Sequence, residues 1–314
     1  MSTFTEYQKL SQNMFQVGLF TAILTESDLA SRVGLKKVAG NNLDFDRESV
    51  NPVVDFTGDA SELSSTDPEF TTVTEALRTL YVQSDLNLKT QTLAIGTDPR
   101  VALHSRMAKE YARKLEWAIV NGDNNRNGNE FDGLIRKAQA NTRMRAMDDG
   151  ALDGPGTAET ELTIARLRVM VDDIKPGLPD FLAMNKTMRR KLTALAYAAG
   201  GGITLPEINQ FGRRIRTFDD LPISISEWFS DSETYNDSST WSSSTATTIV
   251  GVKTGEASEG YTLLHGGEFW DATLQDLGIR KNKDARVYRM ISYPGSALYS
   301  VFSIGALGGI DSAA

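Results

Sequence analysis

Two histidines, no cysteine and a few adjacent carboxylates are what the sequence offers for chemistry. Without cysteine there can be no disulfide, thiolate metal site or cysteine nucleophile. His104 and His265 stand in no zinc-ligand spacing such as HExxH, so each reads as an ordinary packed or surface histidine. No GxSxG nucleophile elbow and no GxxxxGK[ST] phosphate loop occurs. Gly200-Gly201-Gly202 has neither dinucleotide-binding spacing nor a lysine, which makes it a turn. Asp172-Asp173 and Asp219-Asp220 could serve acid–base catalysis, but no pocket signature accompanies them. They read as exposed carboxylates at loops or helix ends.

One near-match is more specific. Asp123-Asn124-Asn125-Arg126-Asn127-Gly128 fits the opening of a calcium loop, D-x-N-x-N-G. Such a loop needs a bidentate glutamate at its twelfth position, where this chain has Leu134. The segment therefore reads as a tight Asn/Gly turn, and the sequence gives no catalytic residue, cofactor site or metal site.

The unusual chemistry is electrostatic. Residues 41–75 contain nine carboxylates (Asp44, Asp46, Glu48, Asp55, Asp59, Glu62, Asp67, Glu69, Glu75) and one base, Arg47. Their net charge of −8 equals that of the whole chain, which has 33 basic and 41 acidic residues, so the remainder is neutral on balance. A basic stripe lies downstream, with Arg100, Arg106, Lys109, Arg113 and Lys114 set against Glu110 and Glu116. The net charge argues against nonspecific nucleic-acid binding by the chain as a whole, while leaving room for a local basic face.

Elements must position these charges. Leu43, Phe45 and Arg47 alternate with Asp44, Asp46 and Glu48, the period of a strand. Pro52, Gly58, Ser64-Ser65-Thr66 and Pro68 mark a long polar tip, and Phe70–Thr74 can return as a second strand. An isolated two-stranded ribbon is marginal in water, so it needs a surface to lie on. The basic residues fall on a helix over about 98–120: Asp98 can cap it, Pro99 suits its first turn, and Leu103, Met107, Tyr111, Leu115 and Ile119 form its apolar stripe.

Elsewhere, residues 4–24 have the spacing of an amphipathic helix. The middle third mixes helices at 160–174 and 186–198 with strands at 181–184 and 221–225. Residues 230–248 are rich in Ser and Thr, a surface loop before a strand at 248–253, and strands return over 286–304 around Pro294-Gly295. At 40% hydrophobic and 24% charged, the chain belongs with ordered globular proteins. Its start lacks a signal-peptide pattern and no run reaches membrane-spanning length. The expectation is a protein kept in, or assembled from, cytoplasm.

Trp117-Ala118-Ile119-Val120-Asn121-Gly122-Asp123, followed by Phe131-Asp132-Gly133-Leu134, resembles the major capsid proteins of tailed bacteriophages. In that family a long spine helix runs into an Asn-Gly-Asp turn and then a Phe-x-Gly-Leu segment leading into a strand. Gly40–Glu48 resembles the start of the family's extended loop, Leu162–Asn185 its helix and strand ending in Met-Asn, and Leu221–Ser226 a later apical strand.

The resemblance implies an α+β, Hong Kong 97-like capsid fold. Its parts would be an N-terminal arm (1–40), extended loop (41–75), peripheral domain with spine helix (76–159), apical domain (160–284) and C-terminal strands returning to the peripheral domain (285–314). It further implies hexamers and pentamers closing an icosahedral shell around double-stranded DNA in the virion. Portal and decoration proteins are possible partners, as is a separate scaffolding protein, since 40 residues ahead of the loop are too few for a fused scaffold. The loop contains no lysine, so the covalent crosslink of some members is not expected. Asp44, Asp46, Glu48, Asp55, Asp59, Glu62, Asp67 and Glu69 become candidate contacts for Arg106, Lys109, Arg113 and Lys114 of a neighbouring copy. The alternative is an encapsulin-like shell enclosing cargo.

Overall fold

A computed structural model of the chain describes residues 27–50, 56, 67, 69–93, 98–152, 154–156, 158–198, 204–208, 214–235, 241–242, 245–255, 259–267 and 273–313. The helix read over 4–24, the glycines 200–202 and the loop carboxylates Asp55, Asp59 and Glu62 lie outside them.

The described chain begins with a short helix, α1 (Asp28–Arg32), and a strand, β1 (Gly34–Val38), followed by the ribbon strands β2 (Asn42–Val50) and β3 (Glu69–Ala76). Next come β4 (Leu80–Asn87), α2 (Leu88–Leu93), the long α3 (Pro99–Asn121), α4 (Leu134–Ala140) and β5 (Met144–Ala146). The middle holds α5 (Ile164–Asp172), β6 (Phe181–Met184), α6 (Lys186–Ala198), β7 (Thr204–Ile208), β8 (Arg214–Phe218) and β9 (Leu221–Ile225). Two short strands, β10 (Thr234–Tyr235) and β11 (Trp241–Ser242), lead to β12 (Ala246–Val252) and β13 (Tyr261–Gly266). The chain closes with β14 (Thr273–Ile279), β15 (Ala285–Ser292), β16 (Pro294–Leu298) and β17 (Ile304–Asp311).

A mixed seven-stranded sheet, ordered β5-β17-β12-β6-β9-β8-β7, forms the largest layer. β6 is buried along its whole length, so its apolar run is continuous and not alternating. Leu182 and Met184 join α5 (Leu167, Met170, Val171) and α6 (Met188, Leu192) in one core. Phe181 and Ala183 turn to the opposite core, which contains Leu115 and Ile119 of α3. The sheet is thus covered by helices on both faces. α6 is capped by Asn185, whose Oδ1 accepts from Met188 N at 2.7 Å.

Against the other side of α3 lies an antiparallel sheet ordered β14-β15-β4. Tyr111 reaches it through a buried hydroxyl pair with Ser292 at 2.7 Å. A third sheet, β1-β13-β16, buries β1, a strand read from sequence as part of an arm. The closing segment is divided: β15 pairs with β4, whereas β17 lies between β5 and β12 in the seven-stranded sheet. The three closing strands thus lie in three sheets, β16 pairing with β13, and β17 is the one in the seven-stranded sheet. Ile304, Leu307 and Ile310 are fully buried there, which fixes its place.

Candidate assembly interface: the acidic ribbon and the long helix

Among the described residues β2 and β3 pair only with each other, in antiparallel register from Asn42↔Ala76 to Val50↔Glu69. One face turns outward. Asp44 and Asp46 are exposed there and accept hydrogen bonds from the hydroxyls of Thr74 (2.7 Å) and Thr72 (2.6 Å) across the ladder. Leu43, Phe45 and Arg47 are half-buried against the body. Glu75, the last acid of the stretch, is taken up within the chain by an ion pair with buried Lys137. Asp67 and Glu69 are exposed.

α3 is 23 residues long, about 35 Å. Asp98 accepts from Arg100 N at 2.9 Å and Pro99 occupies the first turn. Met107, Tyr111, Leu115 and Ile119 are buried, while Arg106, Lys109, Arg113 and Lys114 are exposed. The four bases are not equivalent. Arg113 lies 3.2 Å from Glu110, and the Lys114 ammonium sits 3.2 Å from the centre of the Trp117 ring. Arg106 and Lys109 make no ion pair among the described residues.

Glu116 corrects the sequence reading. Assigned to the outer stripe, it is 5% exposed. Burial pushes its carboxyl up to about 7, against the lowering effect of hydrogen bonds with Ser226 and Ser27, while nearby Asp28 and Glu227 push it further up. The 3.6-residue pattern could not show this, because the face of α3 next to its apolar stripe is covered by α1 and the end of β9.

The two signature motifs meet at the end of α3. Gly133 N donates to Gly122 O at 2.8 Å. A Cβ on Gly122 would lie 2.2 Å from Phe131 O, and one on Gly133 would lie 2.7 Å from Ala118 O. Neither position has room for a side chain. The segment after Gly133 is not the strand expected from the resemblance but the helix α4. Leu134 and Ala138, four residues apart, are both fully buried, and Leu, Arg, Lys, Ala and Gln are good helix formers.

The remaining chemical candidates are structural. Asp123 Oδ1 accepts from the backbone N–H of Asn125 (2.9 Å) and Arg126 (3.3 Å), the bonding of a tight turn. Among the described residues no group of three or more His, Asp or Glu could hold a metal. Asp173 receives two bonds from Arg145, at 2.8 and 2.9 Å. Asp219 and Asp220 both have positive φ (46° and 66°), forming the turn between β8 and β9. His265 is buried in β13 and His104 stacks edge-on to Tyr288 at 5.0 Å. A cavity of about 430 Å³ beside Trp117 and Trp228 contains Arg136, 3.6 Å from Asp123, and Arg126, 3.2 Å from Glu130. Among the described residues, no helix is long and apolar enough to cross a membrane.

The body thus holds three hydrophobic clusters, and the ribbon rests one face on it and turns a charged face outward. The model of the phage capsid family matches residues 10–240. A search of curated proteins returns no match. Among solved structures, the chain is similar to the holo-SrpI encapsulin complex from Synechococcus elongatus PCC 7942 (TM-score 0.66, 14% identity, 90% of this chain and 87% of that one). It is also similar to the capsid of a native GTA particle (0.60, 14%, 92% and 90%) and to a chain of Microbacterium phage Oxtober96 (0.61, 13%, 90% and 90%). At these identities the likeness concerns the fold, which is Hong Kong 97-like. The chain belongs to the phage capsid family, and its role is that of a major capsid protein, a structural component of a shell.

Proposed function

We propose that this subunit assembles with copies of itself into hexamers and pentamers, closing a noncovalent icosahedral shell around double-stranded DNA, and that it performs no catalysis. Assembly takes place in the host cytoplasm and the product is the virion capsid. Scaffolding, portal and decoration proteins are the other partners this role calls for, and the DNA contacts are nonspecific. In this reading the arm, extended loop, peripheral and apical divisions are taken at the boundaries read from sequence, and the closing strands are spread over three sheets.

The ribbon is the observation that supports this reading best. Its outer face offers Asp44 and Asp46 to solvent on a two-stranded element that water alone stabilises poorly. A neighbour's α3 offers exposed Arg106 and Lys109. Single exposed ion pairs contribute about 0–1 kcal/mol, but repetition at every subunit contact sets register and makes assembly salt-sensitive. A shell that encloses protein cargo is the second reading, favoured by the likeness to the SrpI encapsulin complex. Expressing the chain alone and imaging it by electron microscopy tests both: uniform shells or capsomers are expected, and a monomer at all concentrations sinks the two together. Particles from the native source separate them, since the capsid reading requires nuclease-protected DNA inside.

A further inference from the structure

The acidic ribbon holds a single base, and the structure points it inward. Arg47 Nε donates to Tyr299 O at 3.1 Å, Nη1 to Asn141 Oδ1 at 3.2 Å, and Nη2 to Leu298 O. These acceptors lie at the end of β16 and the C-cap of α4. Two residues back, the Phe45 ring lies 4.8 Å from that of Tyr299, whose hydroxyl accepts from Lys36 Nζ of β1 at 2.8 Å. Asn141 is itself held, donating to Lys137 O at 2.7 Å, and Lys137 pairs with Glu75 of β3. One guanidinium thus joins the ribbon to two separate elements of the body.

Geometry makes this a matter of direction. The ribbon is tied at its foot, where Arg78 N donates to Pro294 O at 2.9 Å. Arg47 stands five residues from the start of β2, about 17 Å further out at 3.3 Å per residue. A lever fixed at one point swings, and fixed at two it does not. A tilt of about 10° over the roughly 30 Å of β2 would move its far end by about 5 Å, more than the reach of a hydrogen bond. Lysine cannot replace the clamp, because only a planar fork with five N–H donors meets three acceptors in fixed directions.

We propose that Arg47 is a positioning residue for assembly: it sets the direction in which the ribbon leaves the body, and so where its Asp44/Asp46 face meets a second copy of this chain. The proposal rests on the reading of the ribbon as a subunit contact. Its test uses the full chain, unassembled, with hydrogen exchange read by mass spectrometry, and then the same protein under assembly conditions.

In Arg47→Met, amides of 42–50 and 69–76 are expected to lose protection about tenfold or more while α3 and the seven-stranded sheet keep theirs, and shells become irregular or scarce. Arg47→Lys should recover only a minor part of both, and Asn141→Ala should give a graded, smaller loss. Ribbon protection and shell uniformity unchanged in Arg47→Met would overturn the proposal. So would loss of protection in α3 as well, which would make Arg47 a general folding residue. The double variant Asp44→Asn/Asp46→Asn keeps the clamp and removes the charge. If it assembles like the parent, electrostatic docking fails as a reading, while the exchange result still decides the role of Arg47.

Discussion

The seven-stranded sheet and the ribbon are both β-structure, yet their side chains obey opposite accounts. Along β6 every residue is buried, alternate ones entering the two cores on either side. Along β2 the face of Leu43, Phe45 and Arg47 is half-buried and the face of Asp44 and Asp46 is exposed. The sheet is complete within one chain. The ribbon is held on one face, at its foot by Arg78 and further out by Arg47, and its other face is turned to solvent, the face the proposed contact with another copy would use.

The contrast is sharpest in truncations. Leu115 of α3 is fully buried between the two layers, and Leu115→Ala should cost about 2–5 kcal/mol in urea unfolding of the unassembled chain. Asp46→Ala on the ribbon should stay within about 0.5 kcal/mol in the same measurement and act instead on assembly. A ribbon substitution that destabilised the isolated subunit as much as the core one would break the comparison.

A buried charge tests the body differently. Glu116 is uncharged at low pH, and its folded pKa of about 7 lies above the ordinary 4.5. The folded state therefore holds a proton that the unfolded state releases across that interval. Its contribution to stability is full below about pH 4.5 and is lost as pH rises through 7. His265 works on the acid side: burial first, then Lys37, pushes it down to about 4, so its contribution is present above 6.5 and lost as pH falls toward 4. Glu116→Gln should flatten the alkaline limb of a melting-temperature profile between pH 5 and 8 and leave the acid limb in place. A parent protein with no alkaline limb would remove Glu116 from this account.

Much of this was legible in the sequence, for reasons that differ by element. α3 announced itself through a capping aspartate, a proline in the first turn and a five-residue apolar stripe. The ribbon did so through alternation and charge. What local pattern could not show is tertiary. Glu116 looks like one more outward carboxylate until α1 and the end of β9 cover it. Leu134–Ala140 is too short for periodicity to separate helix from strand, and Gly122 and Gly133 are explained only by the contact between them. Arg47 was visible as the lone base of an acidic stretch, which was the one available sign that it serves something other than the acidic face.

The smallest effect is the most specific to the ribbon. Docking was read onto four bases of α3, but two already have company: Arg113 with Glu110, and Lys114 on Trp117 and 4.0 Å from Glu130. Reversing Arg113 or Lys114 therefore disturbs contacts within the chain, whereas Arg106→Glu/Lys109→Glu changes only what α3 presents outward. That double reversal should leave urea unfolding of the subunit nearly unchanged. At about 0–1 kcal/mol per exposed pair, it should shift the salt concentration at which shells dissociate to a lower value. Adding Asp44→Lys/Asp46→Lys to the same chain should recover part of the loss, because opposite charges then face each other again across the contact. No shift in salt tolerance with Arg106 and Lys109 reversed would leave the ribbon's direction intact as a question for Arg47 and move its landing site off this helix.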